Sequence, residues 1–387
     1  MIKSLRSASA ANRASREKIP GLDGVRGLAC TAVFLVHWQQ ETGVNGNWGP
    51  FDLEQFLQNG NIGVAVFMIL SGFFASLNYF TPEGQQLASL AGVRQFASRR
   101  IYRILPAYYV CMLTMWLAGG NWQSLRGWLD LLLHIFCLHN FLEFSLYSIT
   151  SPLWAIAVFV QWYFAFAVVM TVSSRLGVRS PGGLLLTFCT IAVAAQLLAM
   201  VMWMTPASVN PAWFGPDAIL RDHSLLPHMP LFVLGMGAFL ARGHLLKMEL
   251  KLIPVRCDAA ILLICLAVVA IISTPVLTIF SIPSFRYMFP VVPLLLAVAV
   301  SLVPHSNVVR TFFDSRVLLM TGRLSYLIYL FHEPVLGGVI WAARSLQHSV
   351  MATPLVFGVV AMTLTVSIAL IVEKAFKIGA HTCTYRC

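Results

Sequence analysis

Several apolar runs of about 18 to 22 residues recur along this chain of 387 residues, each long enough at ~1.5 Å per residue to cross the ~30 Å hydrocarbon core of a bilayer. Few folds are open to such a chain. Inside lipid every backbone N–H and C=O must find its partner within the protein, which leaves helical bundles and closed barrels, and runs of this length favour helices. Composition agrees, with 58% apolar residues, 11% charged residues and a mean hydropathy of +0.77, far from the mix of a soluble globular domain. The expected fold is an all-α integral membrane protein with about ten transmembrane helices in one bundle. The predicted crossings lie near 22–40, 62–80, 101–119, 153–174, 183–204, 227–241, 259–279, 287–303, 319–341 and 352–373.

One further segment near 127–142, GWLDLLLHIFCLHNFL, is short and carries Asp130, His134, His139 and Asn140. The positive-inside rule arbitrates its status, because Lys and Arg of short loops collect on the cytoplasmic side. With that segment outside the count, 21 of the 26 basic residues fall in the tails and alternate loops of one side. The other side keeps only Arg126, Arg221, Arg286 and Arg344, and Arg26 sits at a membrane boundary. Counting 127–142 as a crossing inverts every later loop and destroys the asymmetry. The expectation is therefore a re-entrant or interfacial piece at 127–142 and both termini in the cytoplasm.

The organisation expected is a basic tail over 1–20, a membrane domain over 21–376 and a short tail over 377–387. The N-terminal stretch MIKSLRSASAANRASREKIP has no apolar core of its own, so it reads as a cytoplasmic tail and not a cleavable signal. The longest polar connections, near 41–61 and 205–226, are about 20 residues, which places the chemistry in the bundle. The net charge of +11 is spread over the ends of apolar runs, which argues for topology and against a nucleic-acid partner. Eight cysteines are scattered without a CxxC pair, so neither a metal site nor a disulfide scaffold is expected. Cys383 and Cys387 near His381 have a metal or lipid-acceptor reading, against which stands a frayed terminus.

Ionisable side chains within membrane helices are costly and mark function by default. The first helix, LDGVRGLACTAVFLVHW, places Arg26 near its start and His37 eleven residues later. Eleven residues are close to three turns, so the two share a face and stand ~16 Å apart along the axis. A buried neutral imidazole there suits a general base; the competing reading is a histidine bonded between helices. At the start of the third helix, SRRIYRILPAYY sets Arg100 and Arg103 on one face. Guanidinium groups grip phosphates bidentately, while orientation by charge or contact with lipid phosphates explains the spacing equally. The ninth helix, TGRLSYLIYLFHEPV, lines up Arg323, Tyr326, Tyr329, His332 and Glu333 as a second polar stripe, or as interfacial anchors. Ser71 and Gly72 in GVAVFMILSGFF offer a nucleophile on one reading and close helix packing on the other.

Taken in order, these segments resemble the acyltransferase-3 family of membrane O-acyltransferases. LDGVRGLACTAVFLVH is similar to the family's LDGLRGLAA opening with its arginine and histidine, matched by Arg26 and His37. GVAVFMILSGFF resembles FFxLSGF through Phe67, Ser71, Gly72 and Phe73, and RRIYRILPAYY resembles RRxxRIxPxY through Arg100, Arg103 and Pro106. LSYLIYLFHEPV resembles SYxxYLxHxP through Ser325, Tyr326, Tyr329, His332 and Pro334, and IVEKAFK resembles VExP through Glu373. SPLWAIAVFVQWYF is similar to PLWSLSVEEQFY, but Phe159 and Val160 stand where the family often has paired glutamates, leaving Gln161 as the nearest polar side chain.

The resemblance implies an acyl-CoA donor, usually acetyl-CoA, and a glycan or lipid-linked sugar of the cell envelope as acceptor; no metal is expected, on the cysteine pattern above. It implies catalytic roles for His37, Arg26 and His332, and donor binding by Arg100, Arg103 and Arg26. Acceptor contacts are expected from Ser71, Gln161, Tyr326 and Glu333, with membrane lipids as the other partners and a bacterial inner membrane as the location. The rival class is a transporter whose buried Arg and His line a path, and the lack of a second LDGVRG or RRIYR copy weighs against it.

Overall fold

The computed structural model describes residues 19–80, 90–246, 253–274, 287–345 and 353–383. It is a helical bundle whose elements are α1 (Leu22–Thr42), α2 (Leu53–Gln58), α3 (Ile62–Tyr79), α4 (Leu90–Ala118), α5 (Leu125–Ile135), α6 (Leu153–Arg175) and α7 (Pro181–Met204). They are followed by α8 (Ile219–Asp222), α9 (Leu225–Leu246), α10 (Ile253–Ser273), α11 (Val291–Leu302), α12 (Val308–Phe313), α13 (Arg316–Ser345) and α14 (Pro354–Cys383). The strands described are a two-residue antiparallel pair, β1 (Asn47–Trp48) and β2 (Phe51–Asp52). Metal-binding clusters of His, Cys, Asp and Glu are absent among the described residues. The tail cysteine Cys387, the N-terminal tail and Arg286 lie outside them.

Among the described residues eight helical stretches are long and apolar enough to cross a bilayer, which with the exposed Leu, Val, Ile and Phe on their outer faces makes this a multi-pass membrane protein. Helix sits at all ten predicted crossings, but two fall short of those criteria. Asp23, Arg26, His37 and Glu41 lower the hydropathy of α1, and α11 is a short piece continuing as a 3₁₀ turn at Val303–His305.

The interior position of α1 has a backbone cause. It runs parallel to α13, and glycines remove the side chains that would hold it away: a Cβ on Gly27 would stand 2.5 Å from the Leu318 oxygen of α13, and one on Gly24 1.9 Å from the Phe313 oxygen at the end of α12. Above them the Cys30 thiol donates to the Ser325 oxygen at 3.4 Å, and Trp38 Nε1 donates to the Pro354 oxygen at 2.8 Å. The α3–α9 crossing is built the same way, with Gly72 against the Phe232 oxygen and Gly235 against the Ile69 oxygen, each 1.8 Å from a hypothetical Cβ. Gly72 is thus a packing residue.

Prolines inside α9 and α13 leave carbonyls without their helical donor. Gln196 Nε2 donates to the Leu226 oxygen freed by Pro230, at 3.2 Å. The Cys111 thiol donates to the Leu330 oxygen freed by Pro334, at 3.5 Å.

Segment 127–142 forms α5, eleven residues and so ~16 Å long, too short to cross. Its polar side, Asp130 and His134, is buried, whereas Leu125, Trp128, Leu129, Leu132 and Phe136 are exposed. The chain then reverses at Cys137, with a φ of 54°, into a 3₁₀ turn at His139–Phe141. Asp130 accepts from Ser145 and from Ser148 Oγ at 2.6 Å, and Tyr108 and Tyr109 of α4 donate to the carbonyls of His134 and Ile135.

Candidate active site

Two cavities open into the bundle one after the other along α1 and α13. The first, of about 140 Å³, is lined by Arg26 of α1, Ser71 and Phe74 of α3, Arg100 and Arg103 of α4, Tyr163 of α6 and Arg323 and Tyr326 of α13. Three helices thus aim four guanidinium groups at one space. Arg26 is held by Asp23, Nη1 to Oδ1 at 3.0 Å, and its Cζ lies 4.4 Å from the centroid of Phe74. Arg100 lies over Phe96 and Tyr163, at 5.3 and 5.6 Å. Arg323 faces Glu373 at 3.5 Å and is half exposed. Ser71 Oγ pairs with the Tyr163 hydroxyl at 2.8 Å, and the Tyr326 hydroxyl donates to the Ile104 oxygen at 2.7 Å. Such a space suits a polyphosphate, because arginine forks match phosphate oxygens and the aromatic faces keep the guanidinium planes oriented.

The second cavity, of about 330 Å³, is lined by His37 and Gln40 of α1, Gln58, Asn61, Tyr147, Trp154, His223, Tyr287 and Glu333. Thr150 Oγ1 donates to Glu333 Oε2 at 2.9 Å. His223 gives Nδ1–H to the Ile219 oxygen at 2.6 Å, so its Nε2 accepts from the Tyr147 hydroxyl. His332 packs beside His37, ring centroids 4.9 Å apart. Imidazole, carboxylate, phenol and amide groups converge here, a set that handles hydroxyl groups and their protons.

Val64 and Tyr329 line both cavities, so the arginine cavity and the His37 cavity share a wall. Of the residues singled out in the sequence, Arg26, Ser71, Arg100, Arg103 and Tyr326 meet in the first cavity, and His37 and Glu333 in the second, with His332 behind His37. Gln161 lines neither: its Nε2 donates to Asn140 Oδ1 at 2.8 Å and to the Cys137 oxygen at 3.0 Å, fastening the turn after α5. Phe159, at the first of the two departed positions, lines the arginine cavity and packs edge-on against Phe232. Tyr147, Trp154, Tyr163 and His223 went unnoticed in the sequence, since aromatic residues and a loop histidine carry no periodic signal of their own.

Comparison with known proteins gives the family. The sequence pattern of a family described as an acyltransferase domain matches residues 19–372. The peptidoglycan O-acetyltransferase OatA of Listeria monocytogenes is 25% identical over 225 residues, 54% of this chain and 33% of the relative. The putative peptidoglycan O-acetyltransferase YrhL of Bacillus subtilis is 25% identical over 334 residues, 82% of this chain and 48% of the relative. The O-acetyltransferase OatA of Staphylococcus aureus is 24% identical over 348 residues, 82% of this chain and 50% of the relative. The chain therefore spans half the length of these relatives or less. No solved structure matches it. With the family pattern running from the start of the described residues to the last long helix, the protein belongs to the acyltransferase-3 family.

Proposed function

We propose that this protein is a membrane O-acyltransferase that moves an acyl group, acetyl in the first instance, from acyl-CoA to a hydroxyl of a cell-envelope or exported glycan. What supports it above all is the shared wall: Tyr329 and Val64 border both the four-arginine cavity and the His37 cavity. A nucleotide gripped by Arg26, Arg100 and Arg103 has its thioester pointed at that wall, and an acceptor in the second cavity meets it from the other side. The names of the relatives, O-acetyltransferases of peptidoglycan in two cases, support the acetyl group and the glycan.

In the reaction His37 takes the proton of the acceptor hydroxyl while the oxygen attacks the thioester carbonyl carbon. The carbon–sulfur bond breaks, an ester forms, and the proton held by His37 leaves with the coenzyme A thiolate as free thiol. Charge asymmetry supports a cytoplasmic position for the arginine cavity, ten crossings with α1 and α11 included, an interfacial or re-entrant α5, and both termini in the cytoplasm of a bacterial inner membrane.

The test is release of coenzyme A thiol by the purified protein given acetyl-CoA and membrane glycans, wild type against His37→Ala. Release that depends on His37 is expected. Absence of release with every short acyl-CoA tried would overturn the reading in favour of a transporter.

A further inference from the structure

His332 is 1% exposed, and its Nδ1 stands 2.6 Å from the carbonyl oxygen of Tyr329, three residues back on α13. A carbonyl oxygen only accepts, so Nδ1 carries the proton and Nε2 is a bare lone pair. That Nε2 is buried and has no hydrogen-bond partner among the described residues. Buried polar atoms left alone in this way are uncommon, and each calls for a physical account. The ring beside it belongs to His37, 4.9 Å away between centroids and tilted by 51°. His37 differs from it in being partly open, on the wall of the second cavity.

We infer that His332 is a positioning residue: its Nε2 is the acceptor for the N–H of His37, which leaves the other nitrogen of His37 unprotonated and turned to the acceptor cavity. This rests on the role of His37 proposed above. The tautomer of a histidine is set by the hydrogen bond that its second nitrogen makes, and a neutral imidazole locked by a backbone carbonyl is a fixed acceptor. The ring of His332 is locked in that form by Tyr329. When His37 takes up the hydroxyl proton, its N–H toward His332 becomes a charge-assisted bond, so the partner favours the proton-bearing state without changing its own charge. Glu333, next in sequence, points around the helix to Thr150 and is engaged there. The other titratable groups on the cavity wall are Tyr147, His223, Tyr287 and Tyr329.

The experiment compares wild type, His332→Gln and His332→Phe, each labelled with ¹⁵N-histidine and held in nanodiscs. The amide of Gln donates to the Tyr329 oxygen and offers its own oxygen to His37, whereas Phe keeps the ring and removes the acceptor. Expected is a single His37 tautomer in wild type and in the Gln variant, and a mixture in the Phe variant. Alongside, kcat falls about 10-fold or more in the Phe variant with the KM for acyl-CoA unchanged, and Gln restores most of it. An identical His37 tautomer population in wild type and the Phe variant overturns the inference. So does a Gln variant no better than Phe while both unfold at the wild-type temperature. The nitrogen shifts decide the matter even where acyl transfer itself proves absent, so failure here and failure of the proposed function are told apart.

Discussion

A Cβ on Gly322 would stand 1.8 Å from the backbone oxygen of Asp23, so α13 meets α1 backbone to backbone at the edge of the arginine cavity. Three residues beyond Asp23 comes Arg26, and one residue beyond Gly322 comes Arg323; the close approach is what brings both to one space. Gly322→Ala is expected to force the pair apart at a cost of about 1–3 kcal/mol, as overpacking does. The measurement is thermal unfolding in detergent, with Gly338→Ala on the same helix as the control, since a Cβ there meets open space. Equal unfolding temperatures for the two variants would contradict the seam described above.

Arg100 and Arg103 are expected to act on donor binding and not on the chemical step. Arg103→Ala and Arg100→Ala should each raise the KM for acyl-CoA about 10-fold or more with kcat little changed, because a charge-assisted bidentate contact is lost. Arg100→Lys should recover only part of the loss, since an ammonium neither forks onto phosphate nor lies flat over Phe96 and Tyr163. Steady-state kinetics over a range of acyl-CoA concentrations checks this. A fall in kcat at constant KM would reassign the arginines.

Asp130 holds the loop after α5. Burial pushes its carboxyl up, but hydrogen bonds from His134, Ser145 and Ser148 outweigh that and hold it below the ordinary carboxylate range. A depressed native value means that the carboxylate stabilises the fold above its unfolded value, near ~4, and that this contribution is lost as pH falls through the lower native value. Asp130→Asn is therefore expected to lower stability, by roughly 1–3 kcal/mol, at neutral pH, with the gap to wild type closing only below about pH 4. Unfolding temperatures measured from pH 7 downward test both halves.

Gln161 is expected to behave as a structural residue. Gln161→Ala removes donors to Asn140 and Cys137 and should cost about 1–2 kcal/mol, visible as earlier unfolding, while the acceptor KM stays at the wild-type value. An acceptor KM raised several-fold at unchanged stability would instead put Gln161 in contact with substrate.

Much of this protein follows from local chemistry that can be read along the chain. Helix stands at each of the ten apolar runs, and eight helices among the described residues are long and apolar enough to cross a bilayer, because lipid leaves the backbone no other local solution. The three-turn spacing of Arg26 and His37 is likewise a property of one helix, and the two duly line successive cavities. Motif order along the chain was enough to anticipate the family.

What joins distant segments was decided only by packing. His37 and His332 are 295 positions apart, and nothing local to either one specifies a contact of 4.9 Å; it arises because glycines let α1 and α13 run parallel. Gln161 stands beside the departed positions of a motif in the sequence, but its partners, Asn140 and Cys137, come from the turn after α5, which no pattern local to Gln161 specifies. Tyr147 and His223 reach the His37 cavity from two separate loops. Periodicity fixes a residue's depth and face on its own helix, whereas the neighbour it meets across the bundle depends on which backbones can approach, a property of three dimensions alone.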